Sequence, residues 1–508
     1  MGSSSFFGGF FSVVRVVPPS APALISSLRG VGYSLETAVA DLIDNSIAAN
    51  AATIDIQFDW NSGSPIVTIL DDGHGMSEDT LAEAMRFGGV GPHASRPKED
   101  LGRFGLGLKT ASLSQCRRMT VVSNVRQAIT SLAWDVDHII ETGDQWILIE
   151  NDKSVPIAAL SRLEALESGT LVVWQKMDFG RKDDRPDHVA FLRDLERVER
   201  HLGMVFQRFI AGDGRRIVIK INDRIVGAWD PFLETHEATI HGPEQQIRAP
   251  GGNVRVRGFV LPHRDRFRNE AEFEQAGGLD GWTAQQGFYV YRQKRLLSAG
   301  GWLGLGGSRA WTRDEPSRLA RIRIDIPNTA DEDWRIDIRK AIARPPDAIR
   351  KPLQRIAEDI RRRAREVFVH RGEYGPRAVA AEVSRIWAVN PEASRRRYTI
   401  RRDHELVALL REHVGKDNSG LLDALLDLIE RTVPVDRVWL DVTEKGVPAT
   451  NEGDADDLTK SALSMIRLMC RAGVPFAKAA ASVSKMDPFD RVEGLSERLL
   501  SMEQETAR

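Results

Sequence analysis

The chain has 508 residues, too many for one core, so about three domains are expected. Lys and Arg number 70 against 72 Asp and Glu, a net charge of -2, which excludes a global attraction to nucleic acid or to an anionic membrane. Two cysteines, Cys116 and Cys470, exclude a disulfide framework or a thiolate zinc site and point to a reducing, cytoplasmic setting.

Residues 1–30 read as an N-terminal arm. Arg15, Pro18 and Pro19 interrupt its apolar run short of a membrane span and no basic n-region precedes it, so no membrane association is expected. Phe6, Phe7, Phe10 and Phe11 call for burial, in the same subunit or in a partner.

Residues 34–50 read as a helix. Ser34 suits the N-cap, and Leu35, Val39, Leu42, Ile43 and Ile47 recur at helical spacing. Strands follow at Thr53–Phe58 and Ile66–Leu70, parted by the turn Asn61-Ser62-Gly63. Ser77 then caps a helix running to about Arg86. The Gly-rich stretch 88–107 is too long and irregular for an ordinary connection and reads as a functional loop or lid. A helix starts at Leu108, with strands near Met119–Ser123 and Leu171–Gln175. A helix comes first and strands follow, which predicts an α+β sandwich with helices on one face of a mixed sheet rather than a Rossmann start.

From 205 to 345 the pattern is again mixed, with strands at Ile217–Ile221, Val254–Leu261, Gly287–Tyr291 and Ala320–Ile326. Residues 347–369 form a strong helix rich in arginine, and beyond Gly372 the chain reads as mainly helical. The expected division is therefore 1–30, 31–200, 201–372 and 373–508.

Four segments carry chemistry. On the first helix Asp41 and Asn45 lie at i and i+4, hence on one face. An Asn oxygen is a hard ligand suited to Mg²⁺, and a neighbouring carboxylate can orient and deprotonate a water. The same spacing also suits the polar face of a surface helix. In the turn Asp71-Asp72-Gly73-His74-Gly75-Met76, an Asp at a strand end can accept from an adenine amino group, and the glycines admit close approach. A tight acidic turn would look the same. Gly102, Gly105 and Gly107 precede a helix whose free N–H groups would suit a triphosphate, with Lys109 and Thr110 in its first turns. A flexible hairpin feeding a structural helix is the alternative. Gly169-Thr170 opens a strand and is uninformative alone.

In this order the four segments resemble the GHKL ATPase superfamily, which includes gyrase B, MutL, the large heat-shock chaperones, histidine kinases and the MORC proteins. The resemblance covers about residues 30–180 and, more loosely, 205–370. It implies a Bergerat-type α/β sandwich that binds ATP and Mg²⁺. Asn45 would be the Mg²⁺ ligand and Asp71 the adenine anchor, backed by Thr170, with Gly73, Gly75 and Met76 lining the pocket. Residues 87–107 would be the lid, with Gly102, Gly105 and Gly107 on the phosphates, and Asp41 would be the water-activating residue. Hydrolysing members typically carry Glu there. Asp is shorter by roughly 1.5 Å, which predicts slow turnover. Glu36 faces away from Asn45 and is no substitute.

The stretch Gly287-Phe288-Tyr289-Val290-Tyr291-Arg292-Gln293-Lys294-Arg295-Leu296-Leu297 looks like a strand of the MORC second lobe. A transducer-like α/β lobe over 201–372 is implied, with Lys340 rather than Lys294 as the lysine that reaches the γ-phosphate. The arginines of 350–365 alternate with Glu358, Asp359 and Glu366, which favours a salt-bridged exposed helix over a DNA-facing stripe. The resemblance implies an ATPase acting as an ATP-gated homodimeric clamp. Its partners would come from a bacterial DNA restriction, modification or phage-defence cluster, with DNA itself as a further partner. A non-hydrolysing nucleotide-binding scaffold or a chaperone-like protein is the alternative.

Overall fold

The computed structural model describes residues 20–30, 32–87, 107–143, 145–179, 181–182, 185–212, 214–249, 251–307, 309–330, 333–334, 343–369, 384–390, 397–415, 418–434, 455–486, 488–492 and 494–506. The chain divides into two compact units, 1–373 and 374–508.

The first unit opens with helices α1 (Ala21–Arg29) and α2 (Leu35–Ala48). Ser34 caps α2 by accepting from the Thr37 N–H, and the Thr37 hydroxyl oxygen accepts from the Ser34 N–H, so two orphan donors are satisfied reciprocally. The strands β1 (Thr53–Asp59) and β2 (Ile66–Asp71) form an antiparallel hairpin. Its connection holds Asn61, Ser62 and Gly63 at positive φ, the turn chemistry that the sequence announces. Next come α3 (Glu78–Met85), α4 (Gly107–Gln115), β3 (Cys116–Val125), β4 (Ala128–Asp135), α5 (Val136–Glu141), β5 (Ile149–Glu150), α6 (Ile157–Glu164) and β6 (Ser168–Met177). A short hairpin, β7 (Arg181–Lys182) and β8 (Arg185–Pro186), precedes α7 (His188–Val205). The strands β9 (Val218–Ile221) and β10 (Arg224–Ile225) complete an eight-stranded sheet of order β10-β9-β1-β2-β6-β3-β4-β5. The sheet is antiparallel except where β9 joins β1 in parallel. Its edge on that side is thus built from residues beyond 200.

Strand alternation decides what faces what. Val67 and Ile69 of β2, Val121 of β3 and Trp174 of β6 point to one face and form the main core with α1, α2, α4 and α7. Leu70, Val122, Leu171 and Val173 point to the other, where Ala159 and Leu163 of α6 cover them. The sandwich thus carries most of its helices on one face, as expected, with α6 on the opposite one. By the same alternation Asp71 ends β2 on the side of Val67 and Ile69, beneath α2.

A second sheet, of order β11-β13-β16-β14-β15 with β12 paired to β13, holds β11 (Ile240–His241), β12 (Gln245–Ala249), β13 (Gly252–Val260), β14 (Gly287–Arg292), β15 (Arg295–Ala299) and β16 (Ala320–Ile326). The helix Asp347–Val369 packs on it through Ile349, Leu353, Ala357, Ile360 and Ala364. Four arginines of this helix are neutralised. Arg362 pairs with Asp359 and Glu366, Arg363 with Asp359, and Arg361 and Arg365 both with Asp314.

The second unit holds the helices Glu405–Val414, Ser419–Arg431, Ala455–Arg471, Phe476–Val483 and Leu495–Thr506, and a hairpin of β17 (Trp387–Asn390) and β18 (Arg397–Ile400). Ala462, Ile466, Ala479, Val483 and Leu499 form its core. On Ser419–Arg431, Leu422 and Leu426 turn inward while Leu421, Leu425 and Leu428 are exposed. No described helix is long and apolar enough to cross a membrane.

Candidate functional site

Asp41 and Asp44 lie one turn apart on α2 and both are buried, whereas Asn45 is exposed. Helical geometry sets Asn45 about 40° around the axis from Asp41, so the two share a face while their exposures differ. Tyr33, just ahead of the cap, donates its hydroxyl to Asp41 Oδ2 at 3.0 Å. Arg295, at the start of β15, brings Nη2 to 3.9 Å from Asp41 Oδ1 and Nε to 3.2 Å from each Asp44 oxygen. Gly107, the first residue of α4, comes close too: a Cβ there would stand 3.9 Å from Asp41 Oδ2. Glu36 points elsewhere, to Arg197 at 3.0 Å. Burial pushes its carboxyl up, but its backbone hydrogen bond and Arg197 outweigh that and hold it below the usual range.

At the end of β2, Asp71 is buried and its carboxylate is fixed from three directions. Ser46 of α2 donates to Oδ2 at 2.8 Å, and the Gly73 N–H donates to Oδ1 at 3.0 Å. The Thr170 backbone N–H, opposite Asp71 in the β2–β6 ladder, is the third donor. Burial pushes this carboxyl above its usual range, against those hydrogen bonds. Its neighbour Asp72 is committed to structure: Oδ1 accepts from the Ala52 and Thr53 N–H groups at 2.6 and 2.9 Å, tying the turn to the start of β1.

The glycines of this turn serve the protein's own packing. A Cβ on Gly73 would fall 2.8 Å from the Ala49 carbonyl oxygen and 2.9 Å from Asp71 Oδ1. Gly75 has φ +68°, and a Cβ there would fall 2.2 Å from the Asn124 carbonyl oxygen. Gly75→Ala is therefore expected to cost about 2 kcal/mol or more in urea unfolding, from strain and steric conflict together. An unchanged midpoint and slope would refute the close approach. Met76 is anchored through its N–H, which donates to Ser123 Oγ at 2.6 Å. Ser123 stands opposite Thr170 across β3 and β6.

Thr110 and Lys109 are both buried at the start of α4. Lys109 donates Nζ to the Ala84 carbonyl at 2.7 Å, near the C-terminal end of α3, and its ammonium lies 5.9 Å from the Phe87 ring centroid. Burial pushes it down to about 8, with Glu83 opposing. Lys294 occupies the two-residue turn between β14 and β15, where Gln293 and Lys294 have φ of 46° and 72°. Gly102, Gly105, Lys340 and the lid stretch 88–106 lie outside the described residues.

The structure thus brings Asp41 of α2, which also carries Asn45, beside Gly107 of α4, which also carries Thr110, and gathers Asp71, Gly73, Gly75, Met76 and Thr170 at the ends of β2 and β6. Ser46, on α2 like Asp41, links the two groups. Four residues that the sequence reading did not single out hold these side chains in place: Tyr33, Ser46, Ser123 and Arg295. Ser46 directly follows Asn45 and its angle toward the sheet was available; Arg295 stands in the stretch that looks like a MORC strand, but at 251 positions from Asp44 nothing local ties it to α2.

A model of the family described as "Histidine kinase-, DNA gyrase B-, and HSP90-like ATPase" matches residues 33–170. "ATPase morc-1" of Caenorhabditis elegans is 30% identical over 96 residues, which is 19% of this chain and 11% of that protein. "DNA mismatch repair protein MutL" of Shewanella oneidensis is 32% identical over 123 residues, 24% of this chain and 19% of that protein. The MutL of Shewanella sp. strain MR-4 is 32% identical over 123 residues, 24% of this chain and 18% of that protein. The chain therefore spans less than a fifth of the length of these relatives. The matched stretch contains α2, the turn after β2, the start of α4 and the opening of β6. Residues 33–170 thus form a domain of the GHKL ATPase superfamily, with a MORC- and MutL-like relationship.

Proposed function

We propose that this chain is a Mg²⁺-dependent ATPase that works as an ATP-gated homodimeric clamp, with protein partners and DNA drawn from bacterial restriction, modification or phage defence. The observation that carries the nucleotide part is the Asp71 carboxylate, buried and fixed by Ser46, Gly73 and Thr170 on the same side of the sheet as Asp41 and Asn45. Such a carboxylate suits an amino donor on a flat base, because its remaining acceptor capacity is held in one direction.

In this reading Asp71 accepts from adenine, Thr170 braces Asp71, and Gly73, Gly75 and Met76 form the wall of the pocket. The exposed Asn45 oxygen suits Mg²⁺, a hard cation that keeps much of its water. Bound Mg²⁺ would supply charge neutralisation of the phosphates. Gly102, Gly105, Gly107 and Thr110 would serve the phosphate end. Lys109 would have to leave the Ala84 carbonyl to join them. Asp41, oriented by Tyr33, would take the proton of the attacking water at a carboxylate oxygen. Lys340 would be the lysine supplied to the γ-phosphate by the second lobe. The DNA part is supported by the likeness to a DNA mismatch repair protein, and the clamp and defence parts rest on the family resemblance of the sequence.

A second reading, a scaffold that holds ATP without turning it over, is favoured by the short Asp41 side chain and its engagement by Tyr33 and Arg295. Turnover and molar mass measured with ATP and with a non-hydrolysable analogue separate the two. A dimer with either nucleotide, and slow phosphate release with ATP, is expected. Bound but inert ATP would favour the scaffold, and no binding of either nucleotide would remove both readings.

A further inference from the structure

We propose that Arg295 is a positioning residue for Asp41, through which the β14–β15 hairpin of the second sheet governs turnover. This rests on Asp41 being the water-activating carboxylate. The guanidinium is fixed on several sides. Nη1 donates to the Leu296 carbonyl, Nε meets both oxygens of Asp44 at 3.2 Å, and the Phe206 ring centroid lies 5.5 Å from Cζ. With a planar fork so held, the direction of Nη2 is no longer free, and it lies 3.9 Å from Asp41 Oδ1. Arg295 and Asp44 are almost fully buried, so water screens little of this charge. His201 of α7 lies nearby, but burial and then Arg295 push its imidazole down to about 4, so at neutral pH it adds no charge.

The connection also spans two sheets. Asp41 and Asp44 sit on the helix that covers the first sheet, whereas Arg295 opens a strand of the second. Arg295 meets Asp41 and Asp44 but neither Asp71 nor its donors, so a displacement of the hairpin against α2 acts first on the orientation of Asp41. Positioning of this kind alters the chemical step and leaves nucleotide affinity alone.

Removing Arg295 alone strips a buried carboxylate of its partner, so Arg295→Met is tested beside a variant that neutralises both, Arg295→Met with Asp44→Asn. In the single variant, amide exchange of the α2 peptide 35–48 in nucleotide-free protein is expected to quicken, and in the double variant to return toward that of the unaltered protein. In both, kcat is expected to fall about tenfold or more while ATP stoichiometry and affinity stay within about twofold. Arg295→Lys, which restores the charge but not the planar fork, is expected to leave kcat low. If the double variant regains full kcat, Arg295 is only the structural partner of Asp44 and the proposal falls. Unchanged exchange in the single variant would sink it too, since Arg295 would then not hold α2. The reading beneath it is judged separately by Asp41→Asn: undiminished turnover in that variant, or none in the unaltered protein, overturns that reading and this role with it.

Discussion

Asp71→Asn is expected to weaken ATP binding about 100-fold or more, the scale of a lost hydrogen bond to a charged group plus a misplaced donor. The carboxylate now accepts from Ser46, from the Gly73 N–H and from the Thr170 N–H. An amide nitrogen cannot face either backbone donor, so the Asn side chain would turn and present the wrong group to the base. The Ser46 hydroxyl can rotate to compensate, but the backbone N–H groups cannot. Titration with a fluorescent ATP analogue, alongside thermal unfolding as a check on folding, reads the result. Affinity within threefold of the unaltered protein would remove Asp71 from the base. Acidification should act in the same direction. Burial raises the Asp71 carboxyl above its unfolded value, so it takes up a proton at higher pH than an ordinary Asp. Between those two values the folded state binds more protons than the unfolded one. The contribution of Asp71 to stability therefore rises as pH falls, while the carboxylate proposed to hold the base is lost.

Much of this site could be read from the sequence because its parts are local. The Ser34 cap, the apolar spacing along α2 and the alternation in β2 fix which side Asp41 and Asp71 occupy, and the observed α2, β1 and β2 differ from the expected spans only at their ends. The helix Asp347–Val369 and the strand Ala320–Ile326 appear with the expected bounds, for the same reason of clear periodicity or alternation. What the sequence did not disclose is non-local. The parallel pairing of β9 with β1 joins residues more than 160 apart, and no pattern within either strand names its neighbour. The reasons for the glycines differ too. Gly73 and Gly75 read as room for a ligand, and the fold adds a demand of its own, since a Cβ at either position would clash with the chain itself. Lys109 likewise read as a phosphate contact from its place beside Gly107, and only the fold brings the Ala84 carbonyl within its reach.

Asp41→Asn should abolish most turnover, by about 10² to 10⁴, the usual contribution of a positioned general base. ATP affinity should remain within about threefold, because Asp71, the proposed base anchor, lies on β2 and its donors are untouched. Asn is nearly isosteric and keeps an oxygen for the Tyr33 hydroxyl, so the side chain has a reason to stay in place. The fold should not suffer either. Asp41 and Asp44 are two buried carboxylates one turn apart, both approached by Arg295. Neutralising Asp41 relieves their mutual repulsion and leaves the Arg295–Asp44 pair intact, so the unfolding temperature is expected to stay level or rise. That combination, an inactive variant that binds normally and is no less stable, is what separates a chemical role from a structural one. A fall in stability matching the fall in rate would instead make Asp41 a member of the buried network around Arg295. Equal turnover in Asp41→Asn and the unaltered protein would pass the water-activating role to another residue. The missing methylene at this position bears on the rate of the unaltered protein in the same experiment. With the carboxylate set back by roughly 1.5 Å and held by Tyr33, its reach toward a water is limited and turnover should be slow even when every contact is intact.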